Sequence, residues 1–208
     1  MASPFKFFWF MFVGILYLGC APKKSSEVPQ ATKNSSPQPV KESAITINLD
    51  KSPLDISYYP ADYPKLKMSG NVKEPILARV IYSRPKKDGR VIFGDVLKYG
   101  SRWRLGANEA SEIEFFKDVT IQNNRIKKNR YIIYCIPYEN TWTVILNNDL
   151  SSWGLKIDST KDVYRFEIPA VKNQYPIEHF TMEFEKSLIG MVLIMSWDTV
   201  KTRLDIAY

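Results

Sequence analysis

Histidine and cysteine are nearly missing from this chain: 208 residues hold one His and two Cys. A lone His179 cannot build a multi-histidine zinc site, and no pair of cysteines is available to replace the missing imidazoles. A Ser-His-acid triad would have to run through His179. By strand phase that residue shares an outward face with Thr181 and Glu183, away from Phe180 and Met182. No strand-turn-helix nucleophile elbow is visible, nor a glycine loop that cradles a phosphate or dinucleotide. No metal and no cofactor are expected. Same-face carboxylates do occur, at Glu112 with Glu114 and at Glu183 with Glu185. A glycosidase needs such a pair, but on the polar face of a strand it is solvated as a rule. Helical periodicity is absent beyond a turn or two.

The chain also lacks an apolar run of the roughly 20 residues that span a bilayer. Its one candidate, Phe7 to Leu18, is interrupted by Gly14 and follows a single basic residue, Lys6. That is the apolar core of a secretory signal. Gly19-Cys20 then resembles a bacterial lipobox, with Tyr17 at the position where Leu is usual. Residues 1–19 are read as a lipoprotein signal peptide and Cys20 as the site of lipidation. Residues 20–50 are rich in Lys, Ser and Pro and almost free of aromatics, a composition that cannot bury enough surface to fold. As a flexible coil such a tether of about 28 residues reaches about 30 Å. Ala21-Pro22-Lys23-Lys24 carries neither the Asp of inner-membrane retention nor an acidic surface-export cluster. The expected location is the cell envelope, lipid-anchored at the periplasmic face of the outer membrane, with the membrane as a partner through the N-terminal lipid.

Net charge of +7 invites a nucleic-acid reading, but much of it lies outside the folded part. Lys6 carries one charge, and Cys20 to Ser52 holds five Lys against Glu27, Glu42 and Asp50. From Pro53 onward the balance is therefore about +4. Arg125, Lys127, Lys128 and Arg130 cluster beside a turn, as solvated hairpins often do. No nucleic-acid partner is expected. With Cys20 lipidated, Cys135 stands alone inside Tyr131 to Ile136, apolar on both faces, and is read as a buried, inert thiol.

Residues 51–208 are expected to form a single domain with a proper core. Its period is two: Ile113 and Phe115, then Trp142, Val144 and Leu146, then Tyr164, Phe166 and Ile168, then Phe180, Met182 and Phe184 alternate with polar neighbours. Turn signals at Asn123-Asn124, Glu139-Asn140, Asn147 to Asp149 and Ser187 to Gly190 separate them. Leu77 to Tyr82, Tyr131 to Ile136 and Met191 to Trp197 are apolar on both sides, which marks central strands. The expected class is all-β: a single antiparallel β-sandwich, jelly-roll-like or a flattened barrel, with little helix.

Ile81-Tyr82-Ser83-Arg84-Pro85, Gly89 to Gly94, Tyr99-Gly100, Trp103 to Ala110, Lys117 to Ile121, Ile136-Pro137, Trp142 to Asn147, Trp153-Gly154 and Ser196-Trp197-Asp198 resemble, in order and spacing, the bacterial family of domain of unknown function 2911. The likeness runs from about Leu77 to Ile206. It implies an exported protein or lipoprotein and carries no established activity. Where the family commonly shows Pro-Ala-Gly-x-Tyr, this chain has Lys127-Lys128-Asn129-Arg130-Tyr131. Asn129 replaces the glycine and is the residue type that best tolerates positive φ.

The densest polar cluster is Arg102 to Ala110. If it is extended, Arg102 and Arg104 share one face and Trp103 takes the other. Two readings stay open. In one, Arg104 forks onto Glu109 or an Asp, Trp103 fills the core and Asn108 ties down a loop. In the other, Arg84, Arg90 and Arg104 bind an anionic or sugar-like ligand beside Asn108 and Glu109, with Trp103 or Tyr82 as a stacking platform. The expected function is a non-enzymatic binding or envelope-interaction module for a small polar or anionic ligand, a glycan or a partner protein. The alternative is a carbohydrate-active hydrolase or lyase using Glu109 with Arg104. Neither reading fixes an oligomeric state.

Overall fold

The computed structural model describes residues 50–150 and 152–208. The expected signal peptide, Cys20 and the expected tether up to residue 49 lie outside the described residues. So does Ser151.

Nine strands form one antiparallel sheet: β1 (Leu54–Tyr59), β2 (Ala78–Ser83), β3 (Glu112–Phe115), β4 (Val119–Ile121), β5 (Asn124–Ile126), β6 (Arg130–Pro137), β7 (Thr141–Asn147), β8 (Asp162–Lys186) and β9 (Gly190–Ala207). Their order is β1-β2-β3-β6-β7-β8-β9-β4-β5. One six-residue helix, α1 (Tyr63–Met68), follows β1, and a single 3-10 turn precedes β8. The all-β, helix-poor class is as expected. The sheet does not close into a barrel, so the flattened-barrel form is not the one adopted.

The sheet curls because β8 turns a corner. Its first residues, Asp162 to Pro169, pair with β7, and from Ala170 onward it pairs with β9, with register shifts between Lys172 and Thr181. Bulges of this kind bend a strand and let one ribbon build two facing layers. Between the layers Trp103, Trp142, Phe180 and Trp197 meet. The Trp103 ring lies 5.6 Å from Trp142, 4.8 Å from Phe180 and 5.6 Å from Trp197, stacked on the last. The described residues make one compact unit. Its main core draws buried side chains from every strand, as an independently folding domain requires.

The strands expected to be central are interior. In β6 the reason is visible: Tyr131, Ile133 and Cys135 face the main core, while Ile132 and Tyr134 join Ile145 and Ile157 in a second cluster on the outer face. Cys135 is fully buried, and desolvation pushes its thiol well above the usual range, as an inert core thiol requires. Asn129 does not adopt positive φ. That conformation falls on Gln122 and Asn123, at the β4–β5 turn. The basic cluster beside it is occupied locally: Arg125 and Lys127 lie 2.9 and 3.3 Å from the Asp118 carboxylate, and the Lys128 N–H donates to it at 2.8 Å.

Candidate ligand-binding site

Arg102 to Arg104 is extended and alternates as expected, and Leu105 to Glu109 is a run of bends. Trp103 exchanges both backbone hydrogen bonds with Cys135 of β6, which turns its indole inward. The indole N–H donates to the Gly106 carbonyl at 3.1 Å, and the Ser111 hydroxyl to that of Leu105 at 2.6 Å. Leu105 and Asn108 take left-handed backbone conformations, so the chain folds tightly between β2 and β6. Gly106 is required there, since a Cβ would lie 2.9 Å from the Ser83 carbonyl oxygen.

Arg102 and Arg104 point outward and meet the loop between β7 and β8. Arg102 donates to the Ile157 carbonyl at 2.9 Å. The stem of Arg104 packs on Gly154, where a Cβ would lie 2.8 Å from Arg104 Cδ and 3.0 Å from the Ala110 backbone. Ile157 and Leu150 from this loop, with Ala110 from the motif, cover the outer face of β6. The two arginines therefore pin a loop across the outer face of β6, and burial of its apolar residues stabilises the arrangement.

The expected fork of Arg104 onto Glu109 or an Asp does not form among the described residues. Arg104 makes no ion pair among the described residues, and its buried Nε has no hydrogen-bond partner there. Desolvation lowers its pKa from the ordinary arginine value. Glu109 is exposed and unpaired among the described residues. Asn108 reaches the other way, donating to Asp50 at 2.8 Å, and so ties the entry of the chain to the domain. Trp103 is 5% exposed and offers no ring face to a ligand.

The three arginines are not convergent. Arg90 sits at an exposed turn, bonded to the carbonyls of Lys86 and Lys87, beside a shallow cleft with His179, Lys51 and Asp88. Glu112 pairs with Arg130 and Glu114 with Arg79, so neither carboxylate is free for acid-base work. Among the described residues no group of three or more His, Cys, Asp or Glu has metal-binding geometry. Trp142 lies in the core, and Trp153 is exposed.

Arg84 and Tyr82 alone of the candidate set share a cleft. It runs along the seam where β1, an edge strand, faces the free edge of β8. A free edge presents unpaired N–H groups, and here a backbone carbonyl and a side-chain hydroxyl satisfy two of them in place of a regular strand ladder. Phe180 N–H donates to the Pro85 carbonyl at 3.0 Å and Phe184 N–H to the Ser57 hydroxyl at 3.2 Å. Arg84 bridges the gap, with Nε on the Phe180 carbonyl at 3.2 Å, Nη1 on Asp55 at 3.2 Å and Nη2 on Thr181 Oγ1 at 3.0 Å. Tyr82 donates to Asp55 at 3.3 Å. Burial holds the Tyr82 phenol far above its ordinary pKa, so it stays a neutral hydroxyl.

The resulting groove has a volume of about 550 Å³, within the range of small-molecule sites. Its charged residues are Asp55, Asp62 and Glu183 against Lys65 and Arg84. Asp55 and Ser57 were not singled out by sequence reasoning. In β1 the apolar residues Leu54 and Ile56 point outward, while Asp55 and Ser57 point in. Alternation alone would have assigned the wrong face.

A family model described as Protein of unknown function (DUF2911) matches residues 64–206. That is well over half of the chain, which belongs to this family. No curated protein and no solved structure matches it.

Proposed function

We propose that the protein is a lipid-anchored envelope lipoprotein, held through Cys20 at the periplasmic face of the outer membrane, whose domain binds a neutral polyol or glycan in the β1–β8 seam. The observation that carries this reading is the Arg84 bridge. A guanidinium has five N–H donors in a fixed fork, and three are used by Phe180, Asp55 and Thr181. Two donors remain on a side chain about one-third exposed, next to a carboxylate whose exposure is 40%. Adjacent donors and acceptors of this kind match the vicinal hydroxyls of a sugar. The excess of one negative charge in the groove disfavours a phosphate or dicarboxylate. The Lys/Ser/Pro-rich tether suits a domain presented at a distance from its anchor.

A hydrolase working through Glu109 and Arg104 has no geometric support, because the two side chains form no pair among the described residues. A thermal-shift series on the chain from residue 20 onward tests the ligand class. At a hundredfold excess over Kd a neutral oligosaccharide is expected to raise Tm by roughly 5–10 °C. Arg84→Lys should abolish the shift. A shift produced instead by phosphates or dicarboxylates overturns the neutral-ligand reading. Labelled palmitate incorporated by the wild type and not by Cys20→Ala tests the anchor.

A further inference from the structure

A larger cleft lies elsewhere, at the end of β8 beneath α1, and has a volume of about 840 Å³. Its floor is Tyr59 and Phe184, both nearly buried, with ring centroids 6.4 Å apart and planes at 61°. Tyr208, the last residue, forms one wall at 5.8 Å from Tyr59, with Lys117 over its ring at 5.1 Å. Gly190 makes room for that wall, since a Cβ there would lie 2.9 Å from the Tyr208 ring. Tyr63, Leu66 and Val72 form the roof. The roof helix is six residues long and buries none of its own side chains. A helix so short has little stability of its own. Apolar roof and apolar floor thus face each other across open space.

We propose that this cleft binds a small, electrically neutral, largely aromatic or alicyclic molecule carrying one hydrogen-bonding group. Three observations carry the assignment. The volume matches a small-molecule site, with aromatic rings on floor and walls. The rim is charge-balanced, Lys73 and Lys186 against Glu74 and Glu185, so it gives no net attraction to an anion or a cation. The polar element inside is a hydroxyl pair: Tyr59 and Tyr208 stand 3.1 Å apart, with the Tyr59 hydroxyl donating to the Gly190 carbonyl at 3.3 Å. This fixes Tyr59 as acceptor from Tyr208 and leaves lone pairs on the Tyr208 oxygen for a ligand hydroxyl or amine. Tilted rings offer edge and face contacts to a flat apolar body. The cleft is separate from the Arg84 groove, with which it shares only Ala61 and Phe184, and the assignment stands whether or not that groove binds a glycan.

The test is a fluorescence titration with N-phenylnaphthylamine, a neutral aromatic probe. It uses the chain from residue 20 onward with Cys20→Ser, so that no lipid competes for the probe. The wild type should bind saturably with unit stoichiometry. Val72→Trp, which fills the cleft from its roof, should weaken binding at least about tenfold while keeping a cooperative melt. Leu188→Ser, at the fully exposed apolar tip of the β8–β9 hairpin, should leave binding unchanged. If Val72→Trp does not fold, Tyr208→Ala takes its place with the same expectation. Non-saturable binding, loss in Leu188→Ser, or full affinity in the cleft variant overturns the site. Equal or tighter binding of the anionic probe anilinonaphthalene sulfonate overturns the neutral class.

Discussion

Two polar regions of this domain, the Arg102–Ala110 motif and the β1–β8 seam, use arginine in opposite ways. In the motif, arginines act mainly through their stems and one carbonyl contact: Arg104 covers Gly154 and Arg102 holds Ile157. In the seam, the Arg84 guanidinium itself is the structural member, reaching a carboxylate, a carbonyl and a hydroxyl on two facing strands. The first region closes over the outer face of β6. The second stands between two strand edges that do not pair, and so leaves a cleft. A concentration of charged and aromatic residues in sequence is thus a weaker sign of a binding site than an unpaired strand edge in space.

Three substitutions break or sharpen that contrast. Trp103→Ala removes the indole at the centre of the Trp142–Phe180–Trp197 cluster and should cost about 3–5 kcal/mol, read as a Tm lower by roughly 10 °C or more in a thermal melt. Gly154→Ala places a Cβ against Arg104 and Ala110 at positive φ. It should cost roughly 1–3 kcal/mol and raise hydrogen exchange at Ile132 and Tyr134, while amides of the seam stay protected. Tyr82→Phe removes the hydroxyl that donates to Asp55 at 3.3 Å and should cost about 1–2 kcal/mol by denaturant titration. Its exchange signature should fall on Thr181 to Phe184 and spare the motif.

The smallest effect is expected outside both regions, at Asp118. The Lys128 N–H, with Arg125 and Lys127, pulls its carboxyl down to about 2. A carboxylate depressed below its unfolded value of about 3.9 contributes stability above that value. The contribution is lost as pH falls through the folded value. Asp118→Asn should therefore differ slightly from wild type at neutral pH and converge with it between about pH 4 and pH 2. Carboxyl-carbon NMR titration of Asp118 checks the direction. A midpoint above 4 would mean the hairpin contacts do not hold it ionised.

Most of the fold is legible in local pattern because most strands bury one face against one core. Ile113, Trp142, Phe166 and Phe180 alternate and are all buried. Two features escape local reading. β8 and β9 run far longer than their alternating stretches because both turn the corner between layers. The β4–β5 hairpin joins β9 through Thr120 and Ala207, a contact no local period encodes. The motif was legible as a unit, including Trp103 inward and the arginines outward. Its role was not, since Gly154 and Ile157 lie about fifty residues onward in a loop. The seam was least legible. Asp55, Arg84 and Thr181 come from three distant segments, and the polar phase of β1 faces inward against the usual rule.

Chemical-shift mapping of the isotope-labelled domain during titration with a neutral oligosaccharide tests the contrast most directly. Perturbations should centre on Asp55 to Tyr58, Arg84 and Phe180 to Phe184, and vanish in Arg84→Lys while persisting in Arg104→Lys. Perturbations centred on Arg104 to Ala110, lost in Arg104→Lys and retained in Arg84→Lys, would contradict it.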